Sequence, residues 1–103
     1  MVIEWLKFRL NSESREKFIQ KDEEIWTATL AKYPGFLGKE IWINPSVPEE
    51  LAIVIRWQTR ENWKDVPHDV LAETEQKFSQ AMGEDKYQMI ETGEYQVRKF
   101  PVN

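Results

Sequence analysis

The chain has 103 residues, no cysteine and a net charge of −4, from 14 basic and 18 acidic side chains. We expect one domain spanning residues 1–103, without disulfides, thiolate metal sites or cysteine nucleophiles, and the acidic balance argues against a nucleic-acid surface. The N-terminal residues do not resemble a signal peptide and no apolar run is long enough to span a membrane, so we expect a cytoplasmic protein.

Residues 2–10 are predicted to form the first strand, because their apolar side chains recur with a period of two. Glu4 interrupts the mainly apolar face of this strand. The opposite face carries Ile3 and Trp5. Both faces of the strand therefore need cover.

An amphipathic helix is predicted to follow. Residues 11–14 are short and polar, which is typical of a helix start. The apolar side chains that come next form one arc at helical spacing, and Asp22 falls near the middle of that arc. We expect the helix to run to about residue 31 or 32, since Pro34 and Gly35 end it.

Two further strands are predicted at residues 36–43 and 51–58. The loop between them contains Pro45 and Pro48, which cannot take part in regular strand pairing. The second of these strands has one unbroken apolar face and so belongs to the core. A short loop between two strands favours an antiparallel hairpin.

A second helix is expected from about residues 65–67 to Gly83, after a short helical turn. Residues 87–90 and 95–100 then have the composition of strands. They form either one long strand with a bulge at Gly93 or two segments with a bend between them.

The predicted order β-α-β-β-α-β is typical of an α+β, ferredoxin-like fold, an antiparallel sheet with two helices on one face. The other face would carry Ile3, Trp5, Ala52 and Val54, which are too apolar to be left in water. We therefore predict a homodimer in which two sheets pack face to face. A monomer with a partly apolar exposed sheet is the alternative.

Two sequence runs resemble a known family: residues 33–40 (YPGFLGKE) and 56–63 (RWQTRENW). They are similar to the helix–strand junction and the third-strand exit of antibiotic-biosynthesis-monooxygenase-like domains in the dimeric α/β-barrel superfamily. The resemblance covers nearly the whole chain and extends to a small uncharacterised bacterial group. It implies a barrel shared by two ferredoxin-like protomers, and some members oxidise polycyclic aromatic compounds without metal or flavin.

Other members of the superfamily degrade haem with an asparagine on the first strand and a tryptophan and histidine in the second helical region. In this chain Trp63 matches the tryptophan. Residues 2–10 contain no asparagine, and Glu73 stands near the place of the histidine. We therefore predict no cofactor, with haem as the alternative.

Asp22, Glu4 and His68 are the candidates for proton transfer. A buried carboxylate must find a partner, become protonated or face a cavity, so Asp22 is either paired structurally or a catalytic acid or base. If Glu4 and Asp22 both point into the gap between helix and sheet, they could share a proton. His68 is the only histidine in the chain, and is either a surface residue or a catalytic base lining a cavity.

Trp26, Trp57 and Trp63 are candidate walls of a ligand pocket, together with Glu4; ordinary core packing is the alternative. The sequence thus predicts a homodimer that binds a small apolar or aromatic molecule and resembles a cofactor-independent monooxygenase. The alternative is a non-catalytic small-molecule-binding or protein-interaction module. Nothing in the sequence indicates a nucleic-acid or membrane partner.

Overall fold

A computed structural model describes residues 1–100, so the last three residues of the predicted domain lie outside the described part. Two short helical pieces flank a π-helical segment, Asp22–Thr27, to form one continuous helix after the first strand. The elements, in chain order, are β1 (Val2–Leu10), α1 (Arg15–Lys21), the π-helical segment, α2 (Ala28–Leu30), β2 (Phe36–Ile43), β3 (Glu50–Trp57), α3 (Arg60–Lys64), α4 (His68–Met82) and β4 (Tyr87–Gln96).

The four strands form one antiparallel sheet in the order β2-β3-β1-β4. β1 and β3 are therefore central, which agrees with the apolar side chains that alternate along both of them. The order of elements and the sheet confirm the predicted α+β, ferredoxin-like fold.

The core lies between the helices and one face of the sheet. Phe18 of α1 is almost completely buried, and its ring centroid lies 5.2 Å from that of Phe8 on β1 and 5.1 Å from that of Phe78 on α4. Leu51 and Trp57 of β3 are buried in the same cluster. The aromatic rings thus hold both helical regions against the same sheet face.

The first helix differs from the regular helix that the sequence predicts. The Ala28 backbone N–H donates to the Glu23 carbonyl, five residues earlier, and to the Ile25 carbonyl, three residues earlier, rather than making the usual four-residue bond. The wider turn begins at Asp22. Apolar periodicity alone does not reveal such a local change of pitch.

β4 is one continuous strand, which was one of the two alternatives. The register shift in its pairing lies between Lys7 and Phe8 of β1 rather than at Gly93, which pairs with Trp5. β4 ends at Gln96, short of the predicted residue 100, because its partner strand starts at Val2, the residue paired with Gln96.

The two sequence runs that carry the family resemblance contact each other. Gly35 has a φ of 85°, and its carbonyl accepts a hydrogen bond from the Gln58 backbone N–H at 2.7 Å. A Cβ atom at Gly35 would lie 2.2 Å from Cγ of Asn62. Glycine is therefore required both by the left-handed backbone and by the close approach of α3.

Candidate active site

A cavity of about 200 Å³ lies between the helices and the sheet. Its wall is mainly apolar and includes core side chains from both layers, such as Leu6, Phe18 and Ile53. Four charged side chains interrupt this apolar wall: Glu4, Asp22, Lys39 and Glu75. Charged groups in such a setting mark a candidate site for chemistry.

The strand register explains why two of these charged groups share the cavity. Ile55 of β3 pairs with Glu4 of β1 on one side and with Lys39 of β2 on the other. The three residues form a row across the sheet, and directly paired residues point to the same face. Adjacent strands lie roughly 5 Å apart, so the Glu4 and Lys39 backbones are roughly 10 Å apart.

Asp22 and Lys39 form a buried ion pair between the π-helical segment and β2. The Lys39 Nζ atom lies 2.7 Å from each carboxylate oxygen of Asp22. The exposed fraction is only 3% for the Asp22 side chain and 5% for that of Lys39. Burial raises the pKa of Asp22 above its ordinary value, and the positive charge and hydrogen bond of Lys39 oppose that rise.

Glu4 accepts a hydrogen bond from the Trp57 indole Nε1 at 3.3 Å. Burial raises the pKa of Glu4, while the Trp57 hydrogen bond and the positive charges of Lys64 and Lys39 oppose the rise. Lys39 thus lowers the pKa of both Glu4 and Asp22, but its direct partner is Asp22. The sharing of a proton between Glu4 and Asp22 stays a prediction.

The three predicted wall tryptophans all border the cavity. Trp57 is completely buried, whereas Trp26 and Trp63 are half-buried. The Trp26 indole donates to Glu75 at 3.3 Å, and the Lys64 ammonium lies 4.0 Å from the centroid of a Trp63 ring. Their contact with a ligand stays a prediction, since each ring also packs against the core.

His68 lies elsewhere. It is exposed at the first residue of α4 and does not line the cavity. The geometry therefore brings Asp22, Glu4 and the tryptophans together and leaves His68 apart from them. The cavity, of about 200 Å³, is also smaller than the roughly 300–1,000 Å³ of sites that hold drug-sized ligands, so it does not fit a group as large as haem.

Sequence reasoning missed Lys39 and Glu75. Lys39 lies two positions before Ile41 in β2, so both side chains point to the inner face of the sheet, the face that packs against the helices. The sequence alone therefore indicates on which face Lys39 lies. Glu75 accepts hydrogen bonds from Trp26 and, at 2.5 Å, from the Tyr87 hydroxyl. No local pattern indicates that α4 would bring this glutamate between two aromatic side chains.

The opposite side of the sheet, which we call the outer face, carries an apolar patch beside ion pairs such as Arg56–Glu40. Trp42 and Tyr95 on this face are 49% and 59% exposed. They border a shallow groove together with Ile3, Trp5, Val54 and Arg56.

Within residues 1–100, no three His, Cys, Asp or Glu side chains are grouped so that they could hold a metal ion. None of the helices described there is long and apolar enough to cross a membrane.

Comparison with solved structures shows the same fold in several proteins. SnoaB from Streptomyces nogalater, described as a cofactor-independent oxygenase, superposes with a TM-score of 0.68 at 14% identity, over 96% of this chain and 94% of that one. HapK from Hahella chejuensis has a TM-score of 0.72 at 17% identity, over 100% and 99% of the two chains. A conserved protein from Methanosarcina mazei Go1 has a TM-score of 0.67 at 16% identity, over 94% and 92%.

No curated protein matches the sequence significantly. A family model, described as antibiotic biosynthesis monooxygenase, matches residues 1–68, about two thirds of the chain. The matched part includes β1–β3 and the helix that carries Asp22, and both resemblance runs. The chain belongs to the antibiotic biosynthesis monooxygenase family.

Proposed function

We propose that this protein is a cofactor-independent oxygenase that binds a small, largely apolar aromatic molecule in the cavity. One observation carries the proposal: a buried carboxylate–ammonium pair, Asp22 and Lys39, in a cavity whose wall is otherwise mainly apolar. Membership of the family and the described activity of SnoaB support it.

The dimensions of the cavity limit the ligand. An apolar cavity of about 150 Å³ accepts benzene, whereas drug-sized ligands occupy roughly 300–1,000 Å³. The cavity here is about 200 Å³. A single substituted ring is therefore a better fit than the polycyclic compounds that the family resemblance implies.

Asp22 is the proposed base. An oxygenase that uses no cofactor must make its organic substrate reactive towards O₂, and removal of a proton leaves an electron-rich anion. The buried carboxylate of Asp22 borders the cavity and has a pKa raised by burial, which makes it a better proton acceptor than an ordinary aspartate. His68 has no part in the proposal, because it lies outside the cavity.

We also propose a homodimer joined through the outer face. Two large aromatic side chains, Trp42 and Tyr95, are about half exposed there, and an apolar patch of this kind is typical of a contact surface. A second copy with the same face would cover it symmetrically.

A thermal-shift screen with flat aromatic ligands, quinones, flavin and haem, followed by measurement of O₂ consumption, tests the proposal. A binder should raise the melting temperature by mass action, and Trp63→Ala should abolish that shift. Asp22→Asn should abolish O₂ consumption, while Asp69→Asn, at an exposed carboxylate on α4, should not.

Binding that is lost in Trp63→Ala but never accompanied by O₂ consumption would favour the alternative, a non-catalytic small-molecule-binding module. A complete absence of binding would overturn the proposed ligand site itself.

A further inference from the structure

The Asp22–Lys39 pair has unused capacity for hydrogen bonding. An ammonium group has three N–H donors, and Asp22 offers Lys39 two oxygens, each at 2.7 Å. A carboxylate has several acceptor positions and no donor of its own. An incoming polar group can therefore contact the pair before either existing contact is broken.

The balance of charges in the cavity restricts which polar group of a ligand can bind there. The cavity contains one ammonium group, already neutralised by Asp22, and the further carboxyl groups of Glu4 and Glu75. A ligand that brings a permanent negative charge would leave one buried negative charge without a partner, which is strongly unfavourable. A neutral ligand adds no charge.

From this geometry we infer that Lys39 is a specificity-determining residue for a neutral ligand that carries one ionisable hydroxyl group. When the ligand binds, Lys39 replaces its contact with Asp22 by a contact with the ligand oxygen. The ligand O–H bond breaks, its proton passes to the Asp22 carboxylate, and the resulting oxyanion takes the place of Asp22 beside the Lys39 ammonium. Total charge in the cavity is unchanged. This inference rests on the proposed function, since it assumes that the cavity binds the ligand.

The position of the pair supports such an exchange. Asp22 and Lys39 also border a groove on the molecular surface, together with Gln20 and Glu23. The pair therefore forms part of the wall between the cavity and that groove, and a protonated Asp22 lies beside a route to solvent. Asp22 begins the π-helical segment, a type of irregularity that is frequent at functional sites.

Two probes of nearly the same shape test the exchange. Para-nitrophenol has an ionisable hydroxyl and turns yellow when it ionises, whereas para-nitroanisole carries a methyl group in place of that proton. The titration is carried out at a mildly acidic pH, where free para-nitrophenol is mostly protonated. We expect a saturable phenolate absorption on addition of protein, and an affinity for the phenol about tenfold or more above that for the anisole.

Lys39→Met should abolish the phenolate absorption and the preference for the phenol. Because this variant leaves Asp22 buried without a partner and can fail to fold, the double variant Asp22→Leu/Lys39→Met is measured beside it. The double variant should still bind para-nitroanisole but give no phenolate absorption. Lys7→Met, which removes a lysine that pairs with Glu50 at 2.9 Å away from the cavity, should behave as the wild type.

The outcomes separate the inference from the proposed function. Equal affinities for the two probes, bound phenol without phenolate absorption, or a persistent phenolate signal in Lys39→Met would each overturn the partner exchange while the cavity remained a binding site. If neither probe binds the wild type, both the exchange and the binding of single-ring aromatics are wrong.

Discussion

The Trp57 indole nitrogen lies 3.3 Å from Oε1 of Glu4 and donates its hydrogen to that oxygen. Trp57 is completely buried, and Glu4 lies on the inner face of the central strand β1. The contact gives a buried donor its acceptor, and it holds a carboxyl group inside an apolar wall. Burial raises the pKa of this carboxyl group, so folding favours its neutral form more than the unfolded chain does.

Glu4→Gln is therefore expected to stabilise the protein increasingly as the pH rises. The Glu4 pKa is higher in the folded than in the unfolded chain, so its contribution to stability is complete below about pH 4.5 and is lost as the pH rises through the folded-state pKa. Glutamine keeps an acceptor for Trp57 and never ionises. Urea unfolding of both proteins at several pH values should show this, each pKa unit being worth about 1.4 kcal/mol.

Glu50→Gln is a control, because the contribution of Glu50 to stability should change with pH in the opposite direction. Hydrogen bonding to Lys7 lowers the pKa of Glu50. Its contribution is therefore present above the unfolded-state pKa and is lost as the pH falls through the folded-state value. The Glu50→Gln protein should approach the wild type in stability as the pH falls. A Glu4→Gln difference that does not change with pH would contradict the raised pKa.

Lys39→Met is expected to destabilise the protein by about 3–5 kcal/mol at neutral pH, because it leaves the Asp22 carboxylate buried without its partner. Asp22→Leu/Lys39→Met should recover most of this loss, since replacing a buried pair by apolar side chains is often neutral. Urea unfolding measures both. If the single variant were as stable as the wild type, the ion pair would have to be open to water in solution.

The fold is easier to predict from this sequence than the candidate site, for a physical reason. The strands and helices follow from periodic apolar side chains, and the junction at Pro34 and Gly35 follows from local backbone preferences. Asp22 was also recognisable, because a carboxylate within an apolar arc requires an explanation. Its partner was harder to identify, because Lys39 reaches Asp22 only through the packing of β2 against the π-helical segment.

His68 illustrates the opposite difficulty. A single histidine attracts attention because histidine is the most frequent general acid or base in enzymes, but residue type alone does not show where the side chain points. In the fold it begins α4 at the surface. Glu75, seven positions further along the same helix, is an exposed residue that nevertheless borders the cavity, and an isolated glutamate on a helix gives no sign of this in the sequence.

Gly35→Ala is expected to destabilise the protein by more than the roughly 1–2 kcal/mol of a left-handed alanine. The new Cβ would lie 2.2 Å from Asn62 Cγ, so α3 must move. Gly38→Ala is the matched control: Gly38 also has a positive φ, of 148°, but no atom lies within 4 Å of its Cβ position. Thermal unfolding should show the larger loss for Gly35→Ala; equal losses would mean that Asn62 is free to turn away.

Trp42→Lys is expected to convert the proposed dimer into a monomer. Trp42 is 49% exposed on the outer face, and a lysine there would place a charge where two apolar patches are proposed to meet. The next residue, Ile43, is 41% exposed and points to the inner face, since it pairs with Leu51. Ile43→Lys is therefore the matched control and should leave the assembly intact. Light scattering should give a mass of about twice the 12.3 kDa of one chain for the wild type and for Ile43→Lys, and the mass of a single chain for Trp42→Lys. A monomeric wild type would contradict the proposed interface.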